Sequence, residues 1–487
     1  MSALPSIAAC EQARLSRDPR FDGVFFTAVR TTGIYCRPMC PAPPPRPRNV
    51  EYFANPASAE AAGYRPCMRC RPELAPADGA WRRGDALVAR ALRLIDDGAL
   101  DEADVPSLAR RLHVGDRHLR RVFVETLGTT PRQVQATRRL LFAKQLLTET
   151  ALPVVEVAAA SGFASLRRFN DAFAGQYGMP PTALRRQAGS RAHAGPLVLK
   201  LAYRPPFDLA ATLAFLRARA LPGIEVVDAA SYARVIDETG AWLRVEAWGD
   251  GEDALRLLLH AVPATGIAAL VQRVRAMFDL DADPAVIAAQ LRTDPALAAT
   301  LDAHPGLRIP GGWSGGEIAV RAVLGQQVSV AAATTLARRL VERLGTPLRE
   351  PAGAGLDRMF PSMAAIADGD LDGLGLTDSR VQALRTIARA CNAGDVGFDP
   401  AQSLEHFIDA WRALPGIGDW TAHYIALRGL HHPDAFPAAD LVLRRHAGGG
   451  AALPARALLG RAERWRPWRG YAAIHLWHAA NATGTPA

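Results

Sequence analysis

The chain has 487 residues, 57 Lys and Arg against 48 Asp and Glu for a formal charge of +9, and a hydrophobic content of 49%. At about 150 residues per domain, this length predicts three or four domains with substantial cores and excludes a single ordinary one. The positive balance favours a polyanionic partner, no stretch is long and apolar enough to span a bilayer, and no membrane partner is expected.

The chain opens on Met1-Ser2-Ala3-Leu4-Pro5 and soon reaches Glu11, Arg14 and Arg17, without the basic flank and apolar core of a secretion signal. A cytoplasmic, nucleoid-associated protein with reduced thiols is expected. Cys36-Arg-Pro-Met-Cys40 and Cys67-Met-Arg-Cys70 form two close pairs, a spacing that suits four thiolates around one tetrahedral Zn2+. A reducing cytosol favours zinc over disulfides, and in a region rich in Pro and Arg the metal supplies stability that a scant core cannot. A purely structural zinc knuckle is the alternative reading. Against it stands the run from Phe25-Phe26-Thr27 to Ile34-Tyr35-Cys36-Arg37-Pro38, with Phe53 and Arg65-Pro66-Cys67 downstream. These residues resemble the N-terminal domain of Ada-type adaptive-response activators, over roughly the first fifth of the chain. The resemblance implies that Cys36 takes a methyl group from a DNA methylphosphotriester in a single turnover, with Cys40, Cys67 and Cys70 serving only as ligands. Zinc would keep Cys36 as the nucleophilic thiolate, and methylation would remove a negative charge facing DNA, raising affinity. Cys10 and Cys391 are isolated and read as spectators.

An internal repeat follows. Phe123, Gly128 and Pro131 recur at the same spacing as Phe173, Gly178 and Pro181, each set preceded by two short amphipathic helical patterns. Two tandem helix-turn-helix units fit, and they resemble the AraC-type DNA-binding domain. The first recognition helix is expected from about Asp116, with Arg117, His118, Arg120 and Arg121 on or near its exposed face. The second is expected from near Ser165, with Arg167, Arg168 and Asn170. Arginine and asparagine can bond bidentately to guanine and adenine edges, although solvated helix faces are the usual meaning of such charges.

Composition places linkers at 72–83 and 187–196. The second, polar and rich in small residues, predicts weak coupling between the halves it joins. Beyond it, Leu197–Tyr203 and Ala241–Trp248 alternate like strands, with helical runs expected around Leu209–Ala220 and Glu252–Leu259. From Asp283 onward the pattern is nearly all helix. Expected domains are 1–78 (zinc), 84–187 (double helix-turn-helix), 197–308 (α+β) and 309–487 (all-α). The fold class is therefore multi-domain and mainly α.

Near the end of the chain, Leu404, Phe407, Ile408 and Trp411 recur at helical spacing. Pro415-Gly416-Ile417-Gly418 breaks the pattern, and Trp420, Tyr424, Ile425 and Leu427 begin a second helix. Gly416 and Gly418 can adopt backbone angles closed to other residues, so N–H groups at the start of the second helix can face a phosphate. Such a hairpin grips DNA without reading sequence. Together with Arg321–Ser329, which contains Gln326 and Gln327, and with Phe436–Asp440 and Trp465–Arg469, it resembles a helix-hairpin-helix DNA glycosylase of the AlkA type. The resemblance covers the chain from about Leu197 to its end. It implies that Asp440 is catalytic, stabilising positive charge on the deoxyribose or orienting water. Asp440 can also cap a helix beginning at Leu441. Trp420 stands where strand-cutting relatives carry a lysine, which implies a monofunctional enzyme needing no cofactor.

Trp420, Tyr424 and Trp477 are implied as walls of the extruded-base pocket, where aromatic faces attract cationic alkylpurines such as 3-methyladenine or 7-methylguanine. Plain core packing is the alternative for each. Gln326 and Gln327 are assigned to DNA, Gln327 replacing a leucine wedge as a poorer apolar insert.

The combined reading is an alkylated-purine glycosylase fused to a methyl acceptor and a transcriptional regulator. Its partners would be damaged and promoter DNA and, through the regulator half, RNA polymerase; a monomer is expected. Two alternatives stay open: a regulator with a silent glycosylase fold, and a helix-hairpin-helix glycosylase for other damaged bases. A Pro-Cys-His-Arg nucleophile motif for guanine O6 repair is absent from the sequence.

Overall fold

A computed structural model of the chain describes residues 4–76, 86–101, 103–189, 195–249 and 251–482. Parts of both expected linkers, 77–83 and 190–194, lie outside them.

The zinc region is built on a four-stranded sheet in the order β3-β1-β2-β4, from β1 (Phe26–Val29), β2 (Ile34–Cys36), β3 (Val50–Phe53) and β4 (Arg65–Pro66). β1 pairs antiparallel with β2 and β3, whereas β4 runs parallel to β2. This parallel pair brings the two cysteine pairs together: Cys67 N donates to Tyr35 O at 2.9 Å, so Cys36 and Cys67 leave adjacent strand ends side by side. α1 (Pro56–Ala61) covers one face, packing Ala59 on Phe26, Tyr35 and Tyr64.

The repeat folds as α2 (Val105–Arg111), α3 (Asp116–Leu127), α4 (Pro131–Glu149), α5 (Val154–Ala160) and α6 (Leu166–Tyr177). Its punctuation has one physical cause used twice. Gly128 and Gly178 close α3 and α6 in the left-handed conformation, at φ 69° and 68°, and Pro131 and Pro181 open the next helices. Phe123 and Phe173 are fully buried. α4 starts on a capping box between Thr130 and Gln133, and is the spine of the region. Near its end, Lys144 donates to Cys67 O at 3.1 Å and pairs with Glu73, both side chains only 1% exposed, while Glu149 pairs with Arg71 at 2.8 Å.

Next come β5 (Leu197–Ala202), α7 (Leu209–Arg217), β6 (Glu225–Val227), β7 (Ser231–Val235), β8 (Trp242–Ala247) and β9 (Ala254–His260). Glu252–Leu259, expected as helix, is mostly strand. Leucine and arginine favour helix, but alternate residues of β9 are buried and it pairs antiparallel with β5 from Leu197↔Leu259 to Ala202↔Ala254. α4 also meets this strand: Lys200 N donates to Glu149 Oε2 at 3.1 Å, and Lys200 O accepts from Gln145 Nε2 at 2.9 Å. β6, β7 and β8 form a second set of antiparallel pairs.

The remainder is helical, including α8 (Gly315–Leu324), α9 (Val330–Leu344), α10 (Asp378–Ala393), α11 (Leu404–Arg412), α12 (Asp419–Arg428), α13 (Leu441–Ala447) and α14 (Arg469–Ala482). It is interrupted by an antiparallel pair, Pro347–Ala352 with Leu356–Arg358, that the nearly all-helical expectation missed; Pro347, Pro351 and Gly353 cannot sustain a helix there. By internal contact the chain forms two compact units, Met1–Pro205 with Trp248–Arg273 and Leu280–Ala282, and Pro206–Ala247 with Val274–Asp279 and Asp283–Ala487. The 197–308 segment thus contributes to both.

Candidate active site and metal centre

The hairpin between α11 and α12 needs glycine once. Gly416 sits at φ 86°, and a Cβ there would come within 2.7 Å of Ala383 Cβ on α10. Gly418, expected to use a similarly restricted angle, does not: it lies at φ −88° as the N-cap of α12, open to any residue. A Cβ on it would meet nothing within 4 Å, so its absence keeps the helix start bare.

α12 then presents Trp420 and Tyr424 one turn apart, with ring centroids 5.2 Å apart and planes inclined by 16°. Asp440 caps α13, its Oδ1 accepting from Leu443 N at 2.9 Å. The same carboxylate takes two indole N–H groups: Trp420 Nε1 donates to Oδ2 at 2.9 Å, and Trp477 Nε1, from α14, to Oδ1 at 3.1 Å. The cap therefore aims a carboxylate that three donors hold in place. Tyr424 and Trp477 meet edge-on at 6.3 Å.

These residues line a cavity of about 660 Å³, within the size range of small-molecule sites. Sequence reasoning missed two further lining residues, Phe215 and Arg219, in and just after α7. Arg219 lies 3.6 Å over the Phe215 ring and Arg428 lies 4.8 Å from the same ring. Arg428 Nη1 donates to Tyr424 Oη at 3.0 Å. Burial pushes the Tyr424 phenol up, but the Arg428 and Arg219 guanidiniums outweigh it and hold it down at about 8. The signal for Phe215 and Arg219 was an aromatic and a cation at i,i+4, too common to single out.

Gln326 and Gln327 behave differently. Gln326 Nε2 donates to Gly416 O and to Thr421 Oγ1, both at 3.0 Å, so its amide nitrogen is engaged within the protein. Gln327 is exposed and left-handed at φ 55°.

The ligand sulfurs of Cys36, Cys40, Cys67 and Cys70 all lie within 4.8 Å of one another. Backbone N–H groups of Arg37 and Arg69 donate to Cys70 and Cys67 Sγ, each at 3.3 Å, as thiolates require. Mutual hydrogen bonding splits the thiols: its neighbours hold Cys40 down at about 7 and Cys67 below its ordinary range, while Cys36 and Cys70 are pushed up. Four converging thiols with built-in thiolate donors fit one zinc.

On the repeat, Arg117, His118, Arg120 and Arg121 on α3 and Arg167, Arg168 and Asn170 on α6 are all exposed.

Residues 9–73 match the metal binding domain of Ada, 108–187 a helix-turn-helix domain, 198–314 the AlkA N-terminal domain and 320–452 the HhH-GPD superfamily of base excision DNA repair proteins. Over 482 residues the chain is 40% identical to the probable bifunctional transcriptional activator/DNA repair enzyme AlkA of Mycobacterium tuberculosis (strain H37Rv), covering 96% of this chain and 95% of that one. The chain belongs to this AlkA family of bifunctional activators and repair enzymes. Its AlkA part is 33% identical over 286 residues to DNA-3-methyladenine glycosylase 2 of Escherichia coli K12, covering 57% of this chain and 96% of that one. The 3-methyladenine DNA-glycosylase from Archaeoglobus fulgidus shares the fold, with a TM-score of 0.51 at 21% identity over 59% of this chain and 99% of that one. This AlkA-family chain accordingly joins a DNA glycosylase to an Ada-type zinc methyl-acceptor domain and a DNA-binding regulator. Among the described residues no helix is long and apolar enough to cross a membrane.

Proposed function

We propose that the glycosylase hydrolyses the N-glycosidic bond of alkylated purines of the 3-methyladenine and 7-methylguanine class without cutting the strand, with Asp440 as its catalytic residue. The observation that carries this is the Asp440 carboxylate, fixed by two indole N–H groups and a helix N–H at the wall of an aromatic cavity. An extruded base enters among Trp420, Tyr424 and Trp477, whose faces attract a cationic purine. As C1′–N breaks, its electron pair leaves with the base and cancels the base's charge. Asp440 stabilises the oxocarbenium-like sugar and orients the water whose oxygen bonds C1′; the water's proton passes to the carboxylate or to solvent. Trp420 has no amine to form a Schiff base, so the strand stays intact. Gly416 and Gly418 bring the hairpin backbone to a phosphate, and Gln327 fills the gap left by the base.

At the other end, Cys36 would be the methyl acceptor: its thiolate attacks the methyl carbon of a methylphosphotriester, the S–C bond forms, the C–O bond breaks and the phosphodiester anion leaves. Zinc held by Cys36, Cys40, Cys67 and Cys70 supplies thiolate character at neutral pH. Arg117, Arg120, Arg167 and Arg168 would read promoter DNA. Contact with RNA polymerase through this regulator half, a monomeric state and a cytoplasmic location complete the reading. The division into 1–78, 84–187, 197–308 and 309–487 is supported in order and number by the four family matches, at 9–73, 108–187, 198–314 and 320–452; the start of the second and the end of the fourth domain extend beyond the matched residues.

The test is base release from methylated duplex DNA by wild type and Asp440→Asn, beside a strand-cleavage assay free of alkali. Release without nicking, abolished by Asp440→Asn, is expected. No release by the wild type would leave a regulator with a silent repair fold.

A further inference from the structure

The two elements assigned to duplex DNA, the Gln327 turn and the Gly416 hairpin, are joined to each other through a third element that touches neither the cavity nor Asp440. That element is α10. Thr377 caps it, accepting from Arg380 N, which fixes the backbone of Arg380 in the first turn. From there Arg380 Nη2 donates to Gln326 O at 2.6 Å, the carbonyl immediately before the left-handed Gln327. One turn further along α10, Ala383 is the surface on which Gly416 rests, so closely that a Cβ on the glycine would be 2.7 Å away. Gln326 closes the triangle, its Nε2 donating to Gly416 O and Thr421 Oγ1 at 3.0 Å each.

We propose that Arg380 is a positioning residue for base extrusion: it sets the spacing between the Gln327 turn and the phosphate-gripping hairpin. This rests on the reading of Gln327 as the wedge given above. A non-glycine residue at positive φ persists only where its surroundings over-determine it, and the hydrogen bond from Arg380 to the preceding carbonyl is one such determinant. A strut of this kind matters because a hairpin that holds one phosphate fixes where the wedge must enter the base stack. An error of about 1 Å between grip and wedge then costs on the order of 100-fold in rate. The guanidinium donates inward to a carbonyl, so it serves geometry and not phosphate charge.

The experiment uses the full chain and a duplex carrying a single 7-methylguanine with 2-aminopurine as its 3′ neighbour. Single-turnover base release and the fluorescence change of base extrusion are followed for wild type, Arg380→Met, Arg380→Lys and Gln327→Ala. The expected result is that Arg380→Met slows both signals on the order of 10- to 100-fold, Arg380→Lys restores much of the loss by donating one ammonium N–H to the same carbonyl, and affinity for undamaged duplex keeps the wild-type salt dependence. Wild-type extrusion by Arg380→Met beside an impaired Gln327→Ala would overturn the strut. A salt slope lowered by about one in Arg380→Met would assign Arg380 to a phosphate instead and overturn it too. Unimpaired release by Gln327→Ala would sink the wedge reading, and the strut with it. Should Arg380→Met fail to fold, Arg380→Gln, whose polar side chain is too short to reach the Gln326 carbonyl and carries no charge, takes its place with the same outcomes.

Discussion

Trp420 donates its indole N–H to Asp440 across 20 residues of sequence, at 2.9 Å, while its ring stacks on Tyr424. One side chain therefore builds the cavity wall and aims the carboxylate. Trp420→Phe separates the two tasks, keeping an aromatic face and deleting the donor. A hydrogen bond to a charged group contributes about 1.5–3 kcal/mol, so single-turnover base release should fall roughly 10- to 100-fold. Binding of an abasic-site duplex should hardly change. Release at the wild-type rate would show that Trp477 and Leu443 hold Asp440 unaided.

Tyr424 gives the active-site half a pH signature. Its phenol is held at about 8 in the folded chain, against about 10 in an unfolded one. A depressed value stabilises the fold where the phenol is ionised. That contribution is fully present above pH 10 and is lost as pH falls through about 8. The unfolding midpoint of wild type relative to Tyr424→Phe should therefore rise between pH 8 and pH 10 and stay level below that window. A constant difference across it would mean that Arg428 and Arg219 do not act on the hydroxyl.

The Lys144–Glu73 pair is among the most buried ionic contacts of the regulator half. Lys144→Met takes away one of the two cationic partners of Glu73, leaving Arg71 Nε at 3.0 Å, and leaves Cys67 O without this donor, a loss of about 1–3 kcal/mol. Lys144→Met with Glu73→Leu should recover part of it, because the buried carboxylate beside the lost ammonium is removed while Arg71 keeps Glu149 as its partner. Denaturant unfolding of wild type and the two variants measures this; a double variant no better than the single one would place the loss at Cys67 O.

Metal removal should act on the zinc-region sheet before anything else. Titrating the four thiols with a mercurial should release one zinc per chain. Amide protection at Cys67, whose N–H bonds Tyr35 O across β2 and β4, should then be lost in hydrogen exchange. Retained protection would mean that the strands pair without the metal.

What could be read in the sequence was local. The cysteine pairs, the Phe-Gly-Pro repeat and the glycine hairpin each carry their cause within a few residues, in ligand spacing, helix caps or turn angles. Asp440 as a helix cap belongs with them. The rest of the cavity is assembled from far apart: Phe215 and Arg219 line the same cavity as Trp420 through packing that no spacing encodes. β9 misled because its leucines and arginine suit a helix and pairing with a strand as distant in sequence as β5 makes them a strand. Gly418 misled in the other direction, since nothing about its angle requires glycine.

The hydrogen bonds that Gln145 and Glu149 make to both backbone groups of Lys200 bear on where the regulator half ends. A cut near residue 196, where composition invites one, would not fall between finished pieces. It would strip β5 of two partners and leave the Glu149 carboxylate one donor short in a buried setting. The regulator's longest helix completes the first strand of the repair half, so the two halves are joined by these hydrogen bonds as well as by the linker.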